Sequence, residues 1–91
     1  MAYSIHCHVS GKVQGVWFRA WTREQALELN LNGWVRNLPD GRVECLAQGG
    51  KEEVEEFRRR LHQGPPYSDV RDVACKPVEP DGKLTEFFIR Y

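Results

Sequence analysis

Ninety-one residues suffice for one domain and leave no room for a second, so residues 1–91 are expected to form a single unit. Hydrophobic residues at 41% and charged residues at 29% match a globular chain with one modest core. Thirteen basic and thirteen acidic side chains cancel to a formal charge of zero, which argues against broad electrostatic binding to nucleic acid or to an anionic membrane.

The opening "MAYSIHCHVS" has neither a basic start nor an apolar run, and no apolar stretch approaches membrane-spanning length. A cytoplasmic protein is the simplest expectation. Tyr3, Ile5, Cys7 and Val9 alternate with Ser4, His6, His8 and Ser10, which predicts a strand with one buried face. His6 and His8 share the other face at a spacing compatible with a metal. No third ligand stands near them in the chain, so a polar sheet face is the simpler expectation. The three cysteines, Cys7, Cys45 and Cys75, contain no C-x-x-C pair. Cys7 and Cys45 fall on apolar positions and are expected to be small buried residues rather than disulfide partners or catalytic thiols.

Next comes "SGKVQGVWFR", Ser10 to Arg19, two glycines four apart with an arginine at the end. Helix formers follow in "RAWTREQALELN", with Thr22, Ala26 and Leu29 on one face and Leu27 beside them; Asn30 or Gly33 can supply the left-handed residue that ends the helix. "WVRNL" reads as a short strand, "PDG" as a turn, and "RVECLAQ" as the hairpin partner with Val43, Cys45 and Ala47 inward. In "KEEVEEFRRRLHQGPP" Val54, Phe57 and Leu61 mark a helix face, acids lead, arginines trail, and Gly64-Pro65 stops it. Arg58 to Arg60 could be taken for a nucleic-acid patch; a solvated helix end balanced by neighbouring glutamates is the plainer expectation. "DVRDVACKPV" and "TEFFIRY" are the last strands, the second with Phe87, Ile89 and Tyr91 on one face.

The predicted order is β-α-β-β-α-β plus a C-terminal strand. That is an α+β, ferredoxin-like split βαβ sandwich, an antiparallel sheet with two helices on one face. Such a fold serves RNA-binding, metal-binding and catalytic proteins alike, so the decision rests on the glycine loop.

A Walker A loop needs G-x-x-x-x-G-K-[ST], but Val13 follows Gly11-Lys12 and His6 stands where the first glycine belongs. A G-x-G-x-x-G dinucleotide fingerprint is missing too. What remains is a strand, a glycine-flanked loop and a helix starting near Arg19 to Trp21. Backbone N–H groups in such a turn can converge on an anion at the positive end of the helix dipole. Arg19 can grip two phosphate oxygens in a fork. The alternative is an ordinary glycine turn beside a surface arginine.

A second stretch, "GWVRNLPDGRVECLAQG" from Gly33 to Gly49, joins the first. Together, Gly11, Val13, Gln14, Gly15, Val16, Phe18 and Arg19, then Gly33-Trp34-Val35, Asn37, Gly41, Val43 and Gly49, resemble the acylphosphatase family. The "GPP" after the second helix and the closing "FFIRY" extend the resemblance over nearly the whole chain. It implies hydrolysis of the carboxyl–phosphate bond of acyl phosphates without metal or cofactor. Arg19 and Asn37 are then the catalytic residues. The phosphate lies against the loop of Gln14, Gly15, Val16, Trp17, Phe18 and Arg19, and Asn37 orients the attacking water. Three departures stand out: Asn30 where the family often has glycine, Leu38 in place of a small polar residue, and Trp17 at a variable position.

The resemblance makes a small-molecule acyl phosphate the partner and inorganic phosphate the product and competitive inhibitor. A monomer with no nucleic-acid or membrane partner is expected. Trp17, Phe18, Trp21 and Trp34 could stack on bases, but no RNP1 pattern accompanies them, and core or pocket-wall roles fit better. Two other readings stay open: an RNA- or protein-binding ferredoxin-like module that retains an anion pocket, and a detached domain of a larger carbamoyl-transfer system. Because the family's architecture brings the last strand near the loop, a supporting salt bridge between the C-terminal end, Arg90-Tyr91 with its carboxylate, and Arg19 is a further expectation.

Overall fold

A computed structural model describes residues 2–91; Met1, the first residue of the expected unit, lies outside them. The elements are β1 (Tyr3–Lys12), α1 (Phe18–Glu28), β2 (Asn32–Asn37), β3 (Val43–Gly49), α2 (Lys51–Gln63), β4 (Asp69–Val78) and β5 (Phe87–Ile89). They build one five-stranded sheet in the order β4-β1-β3-β2-β5. The ferredoxin-like α+β arrangement expected from the element order is the one found.

Period-two alternation makes the core. Ile5, Cys7 and Val9 on β1, Val35 on β2, and Val43, Cys45 and Ala47 on β3 are buried on one face. Both helices cover that face, α1 over β2 and β5, α2 over β1, β3 and β4. Phe18, Thr22 and Ala26 of α1 are buried, while Leu27 is exposed. On α2 the buried set is Val54, Phe57 and Leu61, the predicted spacing. Removing an aromatic such as Phe57 or Phe87 from this layer would cost about 3–5 kcal/mol. Asn30, at φ 57°, is the left-handed residue behind α1. The arginine run is paired off: Arg58 with Glu55, Arg59 with Glu56, and Arg60 with Glu56 and Glu28. That is the solvated helix end expected.

Three features differ in detail from the sequence-based expectation. The strand pairs β1–β3, β1–β4 and β2–β3 are antiparallel, but the added strand β5 runs parallel to β2, so the sheet is mixed. The chain leaves β4 at one edge and must cross to the other, and it arrives there pointing the same way as β2. Trp34 is not in the core: it stands on the open face, beneath the guanidinium groups of Arg36 and Arg90. Finally, Cys7 is not a free buried thiol. It is bridged to Cys75, its direct cross-strand partner on β4, with Cα atoms 4.1 Å apart. Nothing within either segment announces this pair, because it depends on which edge of β1 receives β4. Cys45 is free and buried, as expected.

At the end of β1 the pairing with β4 slips between Ser10 and Gly11. Gly11 has φ 122°, and a Cβ there would collide with the Asp69 carbonyl, so only glycine fits. This bulge turns the chain off the sheet and into the loop that precedes α1.

Candidate active site

The loop is pinned by what it buries. Val13, Val16 and Phe18 are all inside the core. Between these pins Gly15 (φ 73°) and Trp17 (φ 65°) both adopt the left-handed conformation. For Trp17 that costs roughly 1–2 kcal/mol, a strain tolerated because the neighbours on both sides are anchored. Alternating left- and right-handed residues turn successive N–H groups toward one point, the geometry of an anion nest. Trp17 is also the N-cap of α1, with no side-chain cap and no acid in the first turn, so the positive helix end has no internal anion.

Arg19 stands in that first turn. Its guanidinium lies over the Tyr91 ring, 4.9 Å from the centroid. The expected salt bridge to the C-terminal carboxylate is not formed; the contact from that end is instead a cation–π one. Among the described residues no carboxylate pairs with Arg19. Tyr91 holds the guanidinium in place without neutralising it. Gly15, Trp17, Arg19, Ala20, Ile89 and Tyr91 enclose a cavity of about 370 Å³. Trp17, 80% exposed, forms its outer wall rather than part of the core. Among the described residues no carboxylate or imidazole side chain lines it.

Gln14 has a different job from its neighbours. Its Nε2 donates to the carbonyls of Leu38 (2.8 Å) and Arg42 (2.9 Å), so its side chain is committed to the protein. Both acceptors belong to the turn between β2 and β3, where the Leu38 N–H also donates to the Arg42 carbonyl. Gln14 therefore ties the loop to the hairpin that carries Asn37. Only its backbone N–H is free to serve an anion. Leu38 needs no polar side chain for this link, because it contributes through its carbonyl.

Asn37 ends β2, opposite Val43. It alternates with Arg36 and falls on the helix-covered side with Val35. Its Oδ1 is buried and has no hydrogen-bond partner among the described residues. An unmatched buried acceptor costs roughly 1–3 kcal/mol, which makes this atom a marked exception in an otherwise bonded hairpin.

In this bridged form the chain offers no thiol nucleophile. Cys7 and Cys75 are bridged, and burial, with the charge of Glu44 second, pushes the Cys45 thiol up to about 12. A wider cleft of about 690 Å³ runs between α1 and α2 past Trp21, Gln25, Glu28, Glu56 and Arg60. Its cation is already bonded to Glu28, Glu56 and Gln25, so it has no free positive charge to offer an anion. The loop cavity does.

The structure puts Arg19 at the loop cavity and Asn37 on the neighbouring hairpin, outside the cavity lining; the Gln14 latch and the Tyr91 ring under Arg19 were not foreseen. A glutamine next to a glycine turn carries no signal of its partner, whereas a C-terminal aromatic on the inward phase of the last strand was a readable hint.

Comparison with known proteins identifies the family. The acylphosphatase family model matches residues 5–89. The acylphosphatase of Halorhodospira halophila is 55% identical over 83 residues, covering 91% of this chain and 89% of that protein. That of Nitrosococcus oceani is 53% identical over 79 residues, 87% of this chain and 89% of its own. Among solved structures, an acylphosphatase from Coxiella burnetii superposes with a TM-score of 0.93 at 39% identity, covering 98% of this chain and 93% of that one. With its core, loop and hairpin matched over nearly its full length, the chain belongs to the acylphosphatase family.

Proposed function

We propose that this acylphosphatase hydrolyses the carboxyl–phosphate bond of small acyl phosphates, with Arg19 and the Gln14–Arg19 backbone holding the phosphoryl group and Asn37 orienting the water. The observation that carries the assignment is the orphaned, buried Oδ1 of Asn37, held by the Gln14 latch to a loop whose cation is unpaired.

The chemistry suits so sparse a site. A carboxylate leaving group has a conjugate acid near pKa ~4.3, so it departs with the bonding electron pair and needs no proton. The protein must neutralise the phosphoryl oxygens and align a nucleophile. Arg19 and the loop N–H groups supply the first. For the second, Oδ1 of Asn37 accepts one water hydrogen, which points a water lone pair at phosphorus. The new P–O bond forms as the acyl P–O bond breaks, and the water's proton passes to a phosphoryl oxygen. Metal independence fits a cavity wall whose side chains offer no carboxylate or imidazole ligand.

The reading extends to residues 1–91 acting as one domain and one monomer, with inorganic phosphate as competitive inhibitor. No helix is long and apolar enough to cross a membrane. We place the enzyme in the cytoplasm, where the reducing glutathione pool would keep Cys7 and Cys75 as thiols and the β1–β4 pairing alone would hold the edge strand.

The test is hydrolysis of benzoyl phosphate by the purified chain in excess EDTA, with an alkyl phosphomonoester in parallel. Rapid, phosphate-inhibited turnover of the first and negligible turnover of the second is expected. An alkoxide leaving group would need a general acid that the cavity lacks. Comparable rates on both substrates would overturn the mechanism.

A further inference from the structure

The face of the sheet turned away from the helices carries a cluster that the hydrolytic site does not use. His6 and His8 leave β1 on that face, and Glu44 leaves β3 directly opposite His8. His6 Nε2 lies 2.7 Å from Glu44 Oε2, and His8 Nε2 lies 3.6 Å from the same oxygen. All three ligand atoms fall within 4.8 Å of one another. Ligands bonded to zinc at ~2.0–2.1 Å in tetrahedral array stand about 3.3 Å apart, so small side-chain rotations bring these three into place.

The carboxylate is already aimed. Arg36 bonds the other oxygen, Oε1, which fixes the plane of the group and leaves Oε2 facing both imidazoles. Above the histidines a pocket of about 200 Å³, lined by His6, His8, Ala74, Cys75 and Lys76, leaves an approach from solvent. It exists because the residue across from His8 on β4 is only an alanine. Two imidazoles, one carboxylate and one open side are the donor set of three-ligand zinc centres, and imidazole donors favour Zn²⁺, Cu²⁺ or Ni²⁺ over Mg²⁺ or Ca²⁺.

We propose that His6, His8 and Glu44 form a binding site for a borderline divalent cation of the zinc class, open on its fourth side and separated by the sheet from the hydrolytic loop. The missing third ligand in the sequence was Glu44, 38 positions from His6 and brought to it only by the β1–β3 register. Positive charge sets the strength. Arg36 offsets Glu44, and Lys76 sits across from His6, so affinity falls in the micromolar rather than the nanomolar range.

Isothermal titration of ZnCl₂ into the full chain, in phosphate-free and non-reducing buffer, tests this. One equivalent should bind with micromolar Kd, while MgCl₂ should give no saturable signal. His6→Ala, His8→Ala and Glu44→Gln should each weaken binding about 10–100-fold. His62→Ala, which alters the remaining histidine on α2, should not. Circular dichroism verifies that each variant is folded. In parallel, long-range ¹H–¹⁵N spectra of the unaltered chain should show Zn²⁺ shifting the ring nitrogens of His6 and His8 and leaving those of His62 in place. Absence of saturable binding, full affinity in a His6→Ala/His8→Ala double variant, or unmoved His6 and His8 resonances would each overturn the proposal.

Discussion

Between Val13 and Arg19 the chain makes its proposed anion pocket from one unbroken stretch, whereas the open face of the sheet collects His6, His8 and Glu44 from two strands. The loop's shape follows from local causes: three buried pins, a glycine and a tryptophan in left-handed conformation, and a helix beginning at once. The open-face cluster and the Cys7–Cys75 bridge follow from strand register, since a one-residue slip would send each partner to the opposite side of the sheet. A pocket written locally should tolerate loosening of the sheet edge; a feature written by register should not. That contrast can be broken or sharpened by mutation.

The largest expected effect is on stability. Cys7 and Cys75 are separated by 68 positions, and closing a loop of that size stabilises by about 4 kcal/mol in the chain-entropy picture. The Cys7→Ser/Cys75→Ser double variant should therefore melt on the order of 20 °C below the oxidised chain, as followed by circular dichroism. Its kcat/KM at 25 °C should stay near that of the unaltered protein, because the loop does not depend on the bridge. Collapse of activity in a variant that is still folded would show that the loop leans on the sheet edge. Thiol titration checks the bridge independently. The native oxidised chain should show no reactive thiol, since Cys45 is buried with its pKa pushed up to about 12. Unfolding without reductant should expose Cys45 alone, and reduction should release all three cysteines.

Next in size is Arg19→Gln, which removes the unpaired cation over Tyr91. Loss of a preorganised donor of this kind lowers kcat about 10²–10³-fold, and phosphate inhibition should weaken with it. Steady-state kinetics with phosphate as inhibitor reads both. Unchanged phosphate inhibition in this variant would move the anion site elsewhere.

A smaller effect falls on Gln14, the residue that joins the two halves of the site. Gln14→Ala deletes two half-buried hydrogen bonds and should cost roughly 1–2 kcal/mol in urea unfolding, with a moderate fall in kcat as Asn37 loses its fixed relation to the loop. Gln14→Glu, nearly the same shape, turns carboxylate oxygens toward two carbonyls. It should be the more damaging of the pair. If Gln14→Glu were better tolerated than Gln14→Ala, the latch would be wrong.

What could be foreseen from the residues divides along the same line. Alternation in Tyr3 to Val9, the Val54/Phe57/Leu61 spacing and the PDG turn each lie within a few residues, and each predicted its element. Arg19 and Asn37 could be singled out as candidates because two glycine-marked motifs stood around them. The parallel pairing of β5, the Cys7–Cys75 bridge, Glu44 beside His6 and the Gln14 latch were not, since each is a relation between segments that only the completed sheet order brings together. Trp17 walls the cavity, one of the two roles expected of it, whereas Trp34 was misleading: a large aromatic ring is as useful lying under arginines as filling a core.

The most direct test of the central claim is a single variant measured two ways: Asn37→Ala, with kcat on benzoyl phosphate set beside the inhibition constant of inorganic phosphate. If Asn37 orients the water while Arg19 and the loop hold the phosphoryl group, kcat should fall about 10²-fold or more while phosphate binds as before. A variant that kept most of its turnover, or that lost phosphate affinity in step with kcat, would contradict that division of labour.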